Sequence, residues 1–155
     1  MIALTDAQQG DLRGAMLQYA IQFLGKFYKW GGDDPSGFDC SGFVIELIKA
    51  VGALPRRADY TADGLMNLMI GCKVNNPSLG CLVFYVNDNG RAYHVEFCAT
   101  ELLSIGASGG GSNTRTIQDA INQNAFIKVR PIKRGGAKMV FVDVIKYLVD
   151  KQNYL

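Results

Sequence analysis

The chain has 155 residues, with 16 basic and 14 acidic side chains and a formal net charge of +2. That balance, with no dense Lys/Arg stripe, argues against a nucleic-acid binder. Hydrophobic content of 48% and charged content of 19% describe a soluble globular chain, read as a single domain over 1–155 with a core that needs no staples. No apolar run approaches the ~18–20 residues that span a bilayer, so membrane insertion is not expected.

Thr5 is a good N-cap with Asp6 just inside it. Leu12, Met16, Tyr19, Ala20, Phe23 and Leu24 follow at helical spacing, predicting a first helix over 5–25 that ends near Gly25. Residues 26–37 read as a glycine-rich loop. A second helix is predicted over 39–51, closing at Gly52. Its apolar residues Phe43, Val44, Leu47, Ile48 and Val51 form a broad core-facing stripe, with Cys40 at its start. Pro55 breaks the chain, and Thr61 caps a third helix over 62–70.

The pattern then changes. Asn75 to Gly80 is turn chemistry, and Cys81 to Val86 reads as a buried strand. Asn87-Asp88-Asn89-Gly90 is a hairpin signal. The return strand is Arg91 to Ala99, and a third runs from Glu101 to Ala107. Ser108 to Asn113 is a flexible loop, Thr116 to Asn122 a short helix and Phe126 to Ile132 a strand. The tail, Val140 to Leu148, is open between a strand and a helix capped by Asp143. Helices followed by an antiparallel meander make an α+β domain.

The N-terminus, Met1 to Arg13, has no apolar h-region, so no secretory signal is expected and the chain is expected to be made in the cytoplasm. Cysteines at 40, 72, 81 and 98 match no paired zinc motif. Neither a metal nor another cofactor is expected. Cys72, Cys81 and Cys98 read as small packed hydrophobes. The basic residues Arg130, Lys133, Arg134 and Lys138 read as a solvated loop.

The most informative stretch is Phe38-Asp39-Cys40-Ser41-Gly42-Phe43-Val44. It sets one cysteine at a loop-to-helix junction, where first-turn amides and the positive helix end favour an anionic sulfur. The chain has one histidine, His94, so any cysteine–histidine chemistry must use it. In the return strand Tyr93, Val95 and Phe97 share one face, apolar enough for a core. His94, Glu96 and Cys98 share the other. If the second helix packs on that other face, His94 can meet Cys40. Imidazole beside a thiol at a helix N-terminus makes an activated nucleophile. Taken alone, the same His94 also fits a polar surface position. Asp39 also fits a plain N-cap, and Ser41 a first-turn backbone bond.

Tyr28-Lys29-Trp30-Gly31-Gly32, followed by Pro35 to Val44, closely resembles the signature of the NlpC family of cell-wall cysteine peptidases. Pro77 to Tyr85 resembles that family's turn and first central strand, and His94-Val95-Glu96-Phe97 its histidine strand. The order agrees over roughly residues 15–110. The resemblance implies a papain-like α+β fold, with N-terminal helices packed on an antiparallel sheet. It implies cleavage of bacterial peptidoglycan stem peptides, often after γ-D-glutamate, with Cys40 as nucleophile and His94 as base. Tyr28, Asp39 and Ser41 match positions that line the substrate cleft, and Trp30 is expected in its wall. With no export signal, the implied setting is a phage or prophage lysin or tail-associated enzyme, with a delivered bacterial toxin next.

Two positions depart from the family. Its third polar residue, on the strand after the histidine strand, falls here at Gly106, and glycine cannot orient an imidazole. Ser104, Glu96, a backbone carbonyl or a water are the substitutes, and the sequence leaves the choice open. Cys81 stands where the family usually has Asp and is read as a structural change. The rival readings are an acyltransferase or amidase on the same fold, and a degenerate wall-peptide-binding module supported mainly by Gly106. Gly109 to Gly111 lack the phosphate-loop pattern and read as a rim loop beside the cleft.

Overall fold

A computed structural model describes residues 3–34 and 36–153. Helices and an antiparallel sheet divide the chain as the sequence suggests. Helix α1 (Asp6–Ile21) is capped by Thr5, whose hydroxyl and Gln8 form a reciprocal capping box. It stops four residues short of the predicted end, and the chain unwinds through a turn to Gly25 at φ 85°. Met16 and Ala20 face the core, while Leu24 lies exposed.

The segment read as a glycine loop contains a two-residue ribbon, β1 (Asp33–Asp34) against β2 (Gly37–Phe38). The ribbon delivers Asp39, the N-cap of helix α2 (Cys40–Ala50). Seven of that helix's residues are buried, which suits its broad apolar stripe. Phe23, Phe38 and Phe43 meet edge-on beside it. Helix α3 (Ala62–Met69), capped by Thr61, leads into a 3-10 turn and the short strand β3 (Lys73–Val74).

The remaining elements are β4 (Cys81–Val86), β5 (Ala92–Cys98), β6 (Leu103–Ser108), α4 (Ile117–Gln123), β7 (Phe126–Pro131), β8 (Lys138–Asp143) and α5 (Val144–Gln152). Six strands form one antiparallel sheet in the order β3-β8-β4-β5-β6-β7. The ambiguous tail is both things in succession. Strand β8 pairs along the whole of β4. Asp143 then caps α5 through the amides of Ile145 and Lys146 and ion-pairs with Arg13 of α1 at 2.8 Å.

The helices pack on one sheet face, against Leu82, Phe84, Val95, Phe97, Ile105 and Val142. The other face carries a smaller apolar cluster of Cys81, Val83, Tyr85, Cys98 and Ile132. Strand β4 is therefore buried on both sides, which explains its unbroken apolar run. Helix α2 thus covers the Val95–Phe97 face, not the His94 face.

Strand β5 is irregular where the chemistry is expected. Its register against β4 slips so that Tyr85 opposes His94 while Val86 opposes Ala92. Tyr93 is the extra residue of this bulge. The expectation that Tyr93 shares the core face fails for that reason: the bulge turns it outward, 62% exposed. Against β6, β5 has ladder partners only at Phe97 and Cys98. Among the described residues no helix is long and apolar enough to cross a membrane.

Candidate active site

Cys40 opens α2 because the loop before it is tied down. Asp39 Oδ1 accepts the amide of Gly42 at 2.7 Å and the Ser41 hydroxyl at 3.2 Å, and Oδ2 accepts the Gly31 amide at 3.1 Å. The Asp39 amide in turn donates to Gly32 O. A side chain at 42 is excluded: a Cβ there would lie 2.1 Å from that same Gly32 oxygen. The Ser41-Gly42 pair and the Gly31-Gly32 pair are thus two halves of one close backbone approach, which presents Cys40 half-buried at the helix end.

His94 reaches Cys40 although α2 packs on the opposite sheet face. The bulge at Tyr93 turns the strand there, and the Cys40 sulfur lies close enough to His94 to perturb the imidazole. The imidazole Nε2 lies 2.8 Å from Glu96 Oε1, so Nδ1 is the nitrogen free to serve the sulfur. Burial pulls the histidine down. The hydrogen bonds and charges of Cys40 and Glu96 outweigh it and raise His94 to about 9. The imidazole therefore carries its proton at neutral pH.

Glu96 settles which side chain touches the imidazole. It is fully buried, and its other oxygen accepts from Ser104 Oγ at 2.5 Å and from the Arg134 guanidinium. Burial disfavours its charge, but His94, Arg134 and Ser104 together hold it well below the usual carboxylate range. Ser104 does not touch His94; it holds Glu96. Gly106 is then explained. A Cβ at that position would lie 2.4 Å from Glu96 Cγ and 2.9 Å from Cδ. The contact that a neighbouring-strand residue would make is supplied from β5 itself, and position 106 is bare to let Glu96 pass.

Arg134 was missed at the level of sequence. The cluster from Arg130 to Lys138 reads as solvated, yet Arg134 stacks its guanidinium 4.7 Å over the Tyr85 ring and pairs with buried Glu96. A buried carboxylate two residues from the only histidine was the available signal, since such a charge needs a cation.

The other expected site residues are divided around Cys40: the Tyr28 ring packs against Gly110 of the His94 cavity rim, and Asp39 and Ser41 lie elsewhere. Tyr28 is buried, and its phenol is pushed up by burial and by the proximity of Cys40 and Asp39, so it remains a hydrogen-bond donor. Asp39 and Ser41 line a cavity of 310 Å³ with Asp33, Asp59, Tyr60 and Thr61. Burial lifts Asp39 above the usual carboxylate range; the amides of Gly42 and Gly31 and the Ser41 hydroxyl oppose the lift, and Asp59 adds to it. Trp30 lines neither this cavity nor the one beside His94. Its side chain is half exposed, and its amide donates to Thr114 O at 2.7 Å. The glycine loop does form a rim: Gly109 and Gly110 border the His94 cavity.

Cys72, Cys81 and Cys98 are buried, and burial raises each thiol. Cys81 touches the Ser78 hydroxyl at 3.5 Å, a turn contact. Among the described residues no three His, Cys, Asp or Glu side chains converge as a metal site would require.

Known proteins resemble this arrangement. The NlpC/P60 family pattern matches residues 25–131. A gamma-D-glutamyl-L-lysine dipeptidyl-peptidase of Bacillus subtilis is 33% identical over 133 residues, covering 83% of this chain and 44% of the relative. The murein DD-endopeptidase MepH of Escherichia coli is 33% identical over 99 residues, covering 59% of this chain and 36% of the relative. The chain spans less than half the length of either. The solved NlpC/p60 domain of the peptidoglycan hydrolase SagA is 25% identical with a TM-score of 0.61, covering 83% of this chain and 96% of that one. RipB of Mycobacterium tuberculosis, at 22% identity and a TM-score of 0.67 over 91% of this chain and 68% of its own, shares the papain-like fold. The chain belongs to the NlpC/P60 family.

Proposed function

We propose that this chain is a cysteine peptidase that hydrolyses peptidoglycan stem peptides at the bond after γ-D-glutamate. The observation that carries the reading is the line Cys40, His94, Glu96 at the N-terminus of α2. It is a sulfur at a positive helix end beside an imidazolium that a buried carboxylate orients. The specific bond is suggested by the Bacillus subtilis relative, whose name states it.

The reaction follows from these groups. Cys40 Sγ attacks the carbonyl carbon, and the oxygen that gains charge faces the amide at the start of α2 and the Tyr28 phenol. The C–N bond breaks, the acyl carbon stays on sulfur, and the departing nitrogen takes the proton from His94. Neutral His94 then removes a proton from water. The water oxygen bonds to the acyl carbon, the C–S bond breaks, and the thiolate and imidazolium return. Glu96 keeps the ring oriented and supports its charge in both halves. On the other side of Cys40, Asp33, Asp39 and Asp59 make an acidic cavity suited to the free amino end of a stem peptide.

Gly106 was the main argument for a degenerate binding module. Glu96 fills the orienting position, which leaves that reading without its support. The test is digestion of purified peptidoglycan and of the free peptide L-Ala-γ-D-Glu-L-Lys, with mass spectrometry of the soluble products. The expected products end in γ-D-glutamate and are absent with Cys40→Ala. Products cut only at the D,D cross-link would move the bond assignment toward that of MepH, and no Cys40-dependent product at all would overturn the hydrolase reading.

A further inference from the structure

The cavity on the His94 side has 420 Å³ and the opposite electrostatic character. Its wall includes Tyr85, Tyr93, His94, Ser108, Arg130 and Arg134. Arg134 is neutralised by Glu96. Arg130 is not. Its partner is the neutral Ser108 hydroxyl, to which Nη1 donates, and it makes no ion pair among the described residues. Register sets Arg130 opposite Ser104 on β7, so its side chain shares the sheet face of Ser104, Gly106 and Ser108. A half-buried guanidinium with most of its five donors unused therefore borders the same space as a protonated His94.

We infer that this cavity is an anion subsite for the leaving group, in which Arg130 takes a free carboxylate on the residue that follows the scissile bond. The inference rests on the hydrolase reading above. When a thiolate cleaves an amide, the acyl part remains on sulfur and the amine departs with the proton of the imidazolium. The amine takes its proton from His94, which itself lines this cavity, and that places the departing amine here. A carboxylate one carbon from that nitrogen enters with it and meets a planar fork suited to bidentate pairing. The acidic cavity across Cys40 receives the other end of the substrate. The cleft is thus polarised, amino end at the aspartates and carboxylate at Arg130. It favours short stem-peptide fragments with an unblocked third residue over those amidated or extended there.

The test compares L-Ala-γ-D-Glu-L-Lys with a free C-terminal carboxylate against the same peptide as its C-terminal amide. For the wild type, kcat/KM on the free acid is expected to exceed that on the amide by roughly tenfold or more, the span of one charge-assisted hydrogen bond. Arg130→Gln should bring the ratio of the two close to one, and Arg130→Lys should keep part of it. Equal wild-type rates on both peptides, or an Arg130→Gln variant that slows both and preserves the ratio, would overturn the subsite while leaving the hydrolase reading intact. Cleavage of neither peptide would instead remove the hydrolase reading beneath it. If Arg130→Gln fails to fold, product inhibition of the wild type decides. Free lysine inhibiting more strongly than lysinamide supports the subsite, and equal inhibition refutes it.

Discussion

Replacing Gly106 by alanine should disable His94 without touching it. The new Cβ would stand 2.4 Å from Glu96 Cγ and 3.0 Å from its Cβ, well inside contact distance. Glu96 sits in the middle of β5, fully buried, with His94, Ser104 and Arg134 all bonded to its carboxylate. It has no free side to move into without releasing at least one of them. The His94 and Arg134 contacts are the ones at stake, because both side chains are 19% exposed while Ser104 is fully buried, and the His94 contact is the one that turnover reads. Losing one charge-assisted hydrogen bond of about 1.5–3 kcal/mol corresponds to roughly a 10–150-fold fall in kcat/KM. Since the chain has a single histidine, one imidazole resonance in an NMR titration reports it directly. In Gly106→Ala that titration should fall from about 9 toward the ordinary 6.5. A double-mutant cycle adds the control: if Gly106→Ala acts through Glu96, combining it with Glu96→Gln should cost little beyond either alone. A folded Gly106→Ala protein with unchanged turnover and an unshifted His94 titration would refute the argument that Glu96 orients the ring.

Cys40→Ala and Cys40→Ser should abolish turnover with the fold intact by circular dichroism, whereas Cys72→Ala, Cys81→Ala and Cys98→Ala should lower stability on the order of 1 kcal/mol and leave turnover near wild type. Iodoacetamide at pH 6 should label Cys40 first, read by peptide mapping, because the other three thiols are buried; equal labelling of all four in the folded protein would contradict this. Arg134→Met should leave Glu96 with His94 and Ser104 alone and destabilise the fold by about 1.5–3 kcal/mol in denaturant titrations, and a neutral result would mean that Arg134 is not holding Glu96. For pH, His94 is raised, so its contribution to stability is full below pH 6.5 and fades as pH rises through about 9; Glu96 is lowered, so its contribution is full above the ordinary carboxylate range and fades as pH falls through its folded value. His94→Gln should flatten the alkaline side of the stability profile, and an alkaline slope identical to wild type would remove His94 from the balance.

The local elements could be read from the chain because local chemistry dictates them. Thr5, Thr61 and Asp143 cap helices from their own side chains, and the apolar run from Cys81 to Val86 has no reading but a strand buried on both faces. Asp39-Cys40 read as a helix start, and in the structure the carboxylate that precedes the cysteine bonds the amide of Gly42. What strict strand alternation could not supply was the route from Cys40 to His94. Period-two reasoning puts Tyr93 in the core and requires α2 on the His94 face, and a one-residue bulge defeats both expectations. The choice of Glu96 over Ser104, a backbone carbonyl or a water was hidden for a related reason. Gly106 looks like a vacancy when read along β6, and only the approach of β5 shows Glu96 occupying that space. Arg134 is 38 positions from Glu96, on a stretch whose composition says loop. No spacing rule connects them. The connection is the physical demand of a buried carboxylate for a cation, which the chain meets only after it has folded.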